Sequence, residues 1–150
     1  MLERDCEAGV FPYCLENNIA VVPFSSIASG FLLGKINTGT QFEKVDDVRN
    51  FVPQLQAENS KANQPVLDLL ESYASKKNVT NAHISLAWML KKNPNVVPIL
   101  GSKNKGRIIE NLDAGNVELS DDEFNALEIH GRRGINEYQG MSIKDWGKGK

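Results

Sequence analysis

The sequence predicts an α/β fold built on parallel strands, and three observations carry that reading. Residues 19–24, Ile-Ala-Val-Val-Pro-Phe, and residues 96–100, Val-Val-Pro-Ile-Leu, are near-continuous apolar runs. Strands buried on both faces read this way, whereas a half-exposed strand would alternate. More than seventy residues separate the two runs, ample for the crossover that parallel neighbours require. Between them Val66, Leu69, Leu70, Tyr73 and Ala74 keep the three-and-four spacing of a helix with one buried face. The rhythm is helix, strand, helices, strand, helix.

Each element has a local cause. The first helix opens near Pro12, whose missing N–H has no partner in an opening turn, and stops at Asn17-Asn18. Gly30 and Gly34 mark a loop leaving the carboxyl end of the first strand. Residues 37–60 are polar, broken by Gly39 and Pro53, and read as an excursion with short helical pieces. The helix through Val66 ends at Lys76-Lys77-Asn78. Thr80 then caps a helix whose body, 84–90, is apolar almost all round and must be covered on several sides. After a helix carrying Ile108, Ile109 and Leu112, Ser120 and Glu123 form a capping box that opens a last helix to about Ile129. A tail rich in Gly and Lys follows from Gly131.

Composition bounds the function. With 150 residues, 41% hydrophobic and 24% charged, the chain is a one-domain globular prospect. A net charge of −2 and a pI near 5.7 argue against a nucleic-acid partner, which needs a basic face. Neither a secretion signal nor an apolar run of about 18 residues is present, so no membrane association and a reduced, cytoplasmic protein are expected. Cys14 falls in the apolar pattern of Val10, Phe11 and Leu15 and is expected to pack as a small hydrophobe. His83 and His130 are isolated from each other and from both cysteines, so no metal site is expected.

The run from Val96 to Asn111 carries the chemistry. An apolar strand empties at Gly101-Ser102-Lys103 into a polar helix entrance, where free backbone N–H groups and the positive end of the helix dipole attract an anion. Lys103 and Arg107 add full charges. Three cations, Lys103, Lys105 and Arg107, at the positive end of a helix are unfavourable unless an anion offsets them. Gly106 sits early in that helix without an evident sequence reason, since Gly costs ~1 kcal/mol there relative to Ala.

Gly101-Ser102-Lys103, then Arg107, then Glu110-Asn111, resembles the adenosine 2′-phosphate clamp after the last barrel strand of the aldo-keto reductases. Pro12-Tyr13-Cys14 and the run from Asn17 to Lys35 resemble that family's seventh-strand segment and following loop. The run from Val79 to Leu90 is similar to its helix reading Thr-Pro-Ala-Gln-Leu-Ala-Leu-Ala-Trp, with His83 at the Gln position, where a structural role is expected. The likeness divides the chain into residues 1–130, the NADP-binding C-terminal part of such a barrel, and a tail, 131–150.

The resemblance implies a TIM (β/α)8 barrel, of which this chain would be the C-terminal portion: about two parallel strands and their helices, against ~250 residues for a whole barrel. It implies NADP(H) as cofactor. Phe24 would stack on the nicotinamide ring, and Ser25 and Ser26 would meet the pyrophosphate, although the family more often has Pro at the second of these positions. Ile27, Gly30 and Lys35 would fold over that pyrophosphate. Gly101 would let the backbone approach, and Ser102 and Lys103 would contact the ribose phosphate. Arg107 would pair with it or lie against adenine, and Glu110 and Asn111 would bond the adenine edge.

The family's catalytic Asp, Tyr, Lys and His lie on earlier strands, and no segment here matches their motifs. Tyr13, Tyr73 and Tyr138 lack the setting of the proton donor, so no catalytic residue is assigned. Tyr138, Met141 and Trp146 would border a substrate pocket if the tail covers a barrel mouth. The expected function is thus the cofactor-binding half of an NADP(H)-dependent carbonyl or alcohol oxidoreductase, inactive alone. A small carbonyl substrate is expected only if the barrel is completed. The alternatives are a non-enzymatic nicotinamide-nucleotide-binding regulatory or interaction module and an inactive truncated product. Open strand edges would favour self-association or a complementing chain.

Overall fold

The computed structural model describes residues 1–2, 4–36, 39–42, 49, 55 and 57–131. Most of the excursion expected over 37–60, and the tail beyond Gly131 with Tyr138, Met141 and Trp146, lie outside them. The described chain is mostly helical. Its α-helices are α1 (Val10–Glu16), α2 (Ala57–Ala62), α3 (Gln64–Lys77), α4 (Asn81–Lys92), α5 (Lys105–Leu112) and α6 (Asp121–Gly131). Short 3-10 turns span Asp5–Ala8, Ala28–Leu33 and Asp113–Asn116. No helix among the described residues is long and apolar enough to cross a membrane.

Local chemistry sets these boundaries. α3 opens with a proline in its first turn and ends where Asn78 turns left-handed at φ 55°. The Thr80 hydroxyl accepts from the His83 N–H, while the Thr80 N–H donates to Nδ1 of His83, a reciprocal capping box. At α6 the Ser120 N–H donates to the Glu123 carboxylate at 2.8 Å and the Glu123 N–H to the Ser120 hydroxyl at 3.2 Å.

The core gathers around α4, in which residues 81–88 are all buried. Phe31, Leu70, Ile84 and Leu127 are fully sequestered, joining the 28–33 turn, α3, α4 and α6. Trp88 stacks on Phe124 with ring centroids 6.3 Å apart. By contrast α1 buries no residue, and Cys14 is half-buried rather than packed in the core. Val10, Tyr13 and Leu15 of the same helix are exposed.

The two expected strands are reduced to one parallel bridge, Val21 with Val96. The Val21 N–H donates to Asn95 O and the Val97 N–H to Val21 O, both at 2.8 Å, and the Ile99 N–H reaches Pro23 O at 3.0 Å. Proline explains the interruption. The next rung in register needs an N–H at position 23, and Pro23 has none, so the 97 carbonyl has no donor there and the ladder skips a step. The segments therefore run side by side and parallel, but a two-stranded portion of a barrel is not formed among the described residues. Ile19, Val22, Phe24, Val97 and Ile99, expected to be buried on both faces, are exposed.

A charged cluster with no counterpart in the sequence reading ties the start of the chain to α4 and α6. Arg4 pairs with Glu7 and, at 2.8 Å, with Glu128. Lys92 pairs with Glu128 and, at 3.2 Å, with Glu7. Both cations flank the Trp88 ring, with the Arg4 guanidinium 5.2 Å and the Lys92 ammonium 5.4 Å from its centroid.

Burial pushes the Glu7 carboxyl up, but the bonds and charges of Arg4 and Lys92 outweigh it and hold Glu7 below the ordinary glutamate value. A carboxyl lowered on folding contributes stability above its unfolded value, about 4.3, and loses it as pH falls through the lowered folded value. Glu7→Gln should cost about 1 kcal/mol at neutral pH, the upper end for a solvent-touched pair. The gap from wild type should close on acidification below about pH 4. Urea midpoints measured against pH test this, and a gap independent of pH would refute it.

Candidate functional site

The hydrogen bond from Ile99 N–H to Pro23 O sets the ends of the two extended segments beside each other, so Phe24 and Gly101 leave the same end of the pair. Two loops therefore start together. Phe24 is 62% exposed and is not a core residue. Ser26 is buried, and its hydroxyl donates to Pro23 O at 3.2 Å and lies 3.5 Å from Ile99 O. The Ser26 O–H is thus engaged with the carbonyl of its own segment, close to the end of the second one.

The loop beyond is tightly wound. Ser25, Ala28 and Ser29 adopt left-handed φ values of 53°, 49° and 54°, followed by Gly30 at 93°. Non-glycine residues in this region cost roughly 1–2 kcal/mol each, and such strain concentrates at ligand-gripping turns. The Ala28 N–H donates to Ser25 O and the Gly30 N–H to Ile27 O, so these donors serve the loop itself. Ile27 is half-buried and Lys35 exposed. Gly34 is left-handed at φ 72°, and a Cβ there would lie 2.9 Å from Nδ2 of Asn81, the first residue of α4. The loop is therefore seated on the start of α4.

On the other side, Gly101 is exposed, and an added Cβ would meet nothing within 4 Å. The Ser102 hydroxyl accepts from the Asn104 N–H at 3.1 Å, and Asn104 caps α5 by accepting from the Arg107 N–H at 3.3 Å. Asn ahead of a helix is itself a cap signal in the sequence. At Gly106 a Cβ would approach the capping Asn104 oxygen to 3.1 Å, a tight contact that a small shift of that exposed side chain would relieve.

Lys103, Lys105 and Arg107 are exposed around this entrance, and the first turn holds no acidic residue. The ion pairs of the described residues gather elsewhere, on Arg4, Lys77, Lys91 and Lys92. Glu110 is half-buried and its carbonyl accepts from Nε2 of His83 at 2.7 Å. Asn111 is 8% exposed, the buried residue of α5. The arrangement is an open cationic helix entrance beside an exposed aromatic and a strained loop, with that loop seated on Asn81 and α5 bonded through Glu110 to His83 in the first turn of α4.

The chain matches the profile of the aldo/keto reductase family over residues 1–132. The chain belongs to that family, which folds as a TIM barrel. It is 36% identical over 115 residues to an NADP(+) aldo-keto reductase of Schizosaccharomyces pombe, covering 77% of this chain and 34% of that protein. To a probable aldo-keto reductase of Glycine max it is 31% identical, covering 95% of this chain and 42% of the relative. The solved glycerol dehydrogenase of Gluconobacter oxydans superposes with a TM-score of 0.76 at 27% identity, over 85% of this chain and 38% of that one. The chain thus spans well under half the length of these relatives.

Replacing Gly34 tests the seating of the loop. Gly34→Ala should destabilise the chain by about 1–2 kcal/mol through its left-handed φ alone, and by more if Asn81 must move. A chemical-denaturation midpoint equal to wild type would show that the loop does not rest on α4 as described.

Proposed function

We propose that residues 1–130 are the NADP(H)-binding part of an aldo-keto reductase barrel, an oxidoreductase portion whose catalytic groups lie outside this chain. The observation that carries the reading is the cationic entrance of α5, with Lys103, Lys105 and Arg107 exposed at the positive end of a helix whose first turn has no acidic residue. An anion is the missing partner, and a phosphate fits both the charges and the N–H groups. The name of the fission-yeast relative, which specifies NADP(+), supports the nucleotide identity.

In this reading Ser102, Lys103 and Arg107 hold the 2′-phosphate over the open backbone at Gly101, and Glu110 and Asn111 face the adenine. The exposed Phe24 ring offers a flat apolar face for the nicotinamide, Ser25, Ile27, Gly30 and Lys35 border the pyrophosphate, and Ser26 braces that mouth from below. Bound there, the cofactor would supply a hydride for a carbonyl or alcohol. This chain's part is to bind and orient it.

No segment carries the family's catalytic tetrad, which favours binding without turnover. The exposed Ile19, Val22, Val97 and Ile99 support a further element of the reading: the rest of a barrel, in the same polypeptide or a complementing one, covers these residues, and a small carbonyl substrate is met only there. A cytoplasmic setting accords with the composition.

Titrating the chain with NADPH should give saturable binding, with no oxidation of NADPH when aldehydes are added. Turnover would place catalytic groups within these residues, and no binding would refute the cofactor site. Lys103→Ala with Arg107→Ala should weaken NADPH binding about a hundredfold, as two charge-assisted contacts are lost, and NADH binding less than threefold. Equal losses for the two nucleotides would remove the 2′-phosphate from this pair.

A further inference from the structure

We propose that His83 is a positioning residue for the nucleotide clamp, fixing the adenine-facing end of α5 against the first turn of α4. This inference rests on the reading of 101–111 as a nucleotide site. His83 is buried, 8% exposed, and both ring nitrogens are committed. The Thr80 N–H donates to Nδ1 at 3.1 Å, so Nδ1 is the bare acceptor. The ring hydrogen then sits on Nε2, which donates to Glu110 O at 2.7 Å. One neutral imidazole therefore closes the cap of α4 on one edge and grips α5 on the other.

The grip matters because α5 is poorly held by apolar packing. Ile108, Ile109 and Leu112 are all exposed, and Asn111 is the residue the helix buries. A helix normally docks through an apolar stripe that tolerates sliding, whereas a hydrogen bond to one carbonyl fixes one register. The carbonyl concerned belongs to Glu110, beside Asn111, and also accepts from the Asp113 N–H. Helix capping alone does not require histidine. Glutamate at this position would accept from Thr80 equally well but has no hydrogen to give Glu110. Glutamine has both an acceptor and a donor.

The test compares His83→Glu, which keeps the cap acceptor and loses the donor, with His83→Gln, which keeps both. In the full chain, His83→Glu should weaken both NADPH and 2′,5′-ADP about tenfold, the order of one lost hydrogen bond to a buried group. His83→Gln should stay within about threefold of wild type. Should His83→Glu fail to fold, the wild-type chain labelled with nitrogen-15 at histidine decides the matter: saturation with 2′,5′-ADP should shift the His83 Nε2 resonance. Unchanged affinity in a folded His83→Glu chain, loss in a folded His83→Gln chain, or an unmoved Nε2 signal at saturation overturns the positioning role and leaves the nucleotide site standing. Failure of the wild-type chain to bind either probe overturns the site itself.

Discussion

Helix α4 presents no residue to water over its first two turns, and the placement of the other elements follows from that burial. α3 and α6 cover it with Leu70, Val66 and Leu127, and the 28–33 turn brings Phe31 and Leu32 onto it. The 3-10 turn at Asp113–Asn116 adds Ala114, which is itself buried. Each fully buried leucine or phenylalanine side chain contributes about 1.5–3 kcal/mol, so this cluster outweighs any single polar contact. Its amino end does more than fill space. Asn81 receives the loop at Gly34 and His83 receives α5 at Glu110, so the hydrophobic demand of one helix brings both halves of the proposed nucleotide site to one place.

What was legible in the sequence was what short-range chemistry decides. Ser120 with Glu123, Thr80 ahead of an apolar body, and the Lys76-Lys77-Asn78 stop each act through groups within four residues, and each terminus stands where these signals put it. The parallel course of 19–24 and 96–100 was also readable from their apolar character and separation. The ladder's brevity was not readable, because the effect of Pro23 depends on which strand lies beside it and in what register. Long-range partners were not readable. Nothing around Arg4 announces that it meets Glu128, or that Lys92 and Trp88 complete the cluster. Nor do Ala28 and Ser29 carry a left-handed signal, since tertiary packing imposes that conformation against their preference.

The site residues divide along the same line. Lys103 and Arg107 are exposed at a helix start, as spacing implied, because exposure of charge is the default. The expectation for Ser26 was of hydroxyl and N–H donors toward a pyrophosphate, and the direction of a hydroxyl depends on the carbonyls the fold brings to it. That hydroxyl donates to Pro23 O and lies near Ile99 O. Asn104, by contrast, could have been found. An asparagine ahead of the helix through Ile108 is a local cap signal, and its side chain accepts from the Arg107 N–H.

The exposed strand residues sharpen what kind of object this chain is. A sequence whose strands are apolar on both faces is written for burial on both faces. Here a single parallel bridge forms among the described residues, and Ile19, Val22, Val97 and Ile99 keep substantial contact with water. At roughly 25 cal/mol per Å2, apolar surface of this extent favours any arrangement that covers it. The helical core around α4 does not depend on that cover, since its buried residues contact one another. The nucleotide site proposed for the strand ends does depend on it, because Phe24 and the loop beyond it stand on the less protected pair. Covering the exposed face would therefore act first on the geometry of that site and only afterwards on the stability of the helices.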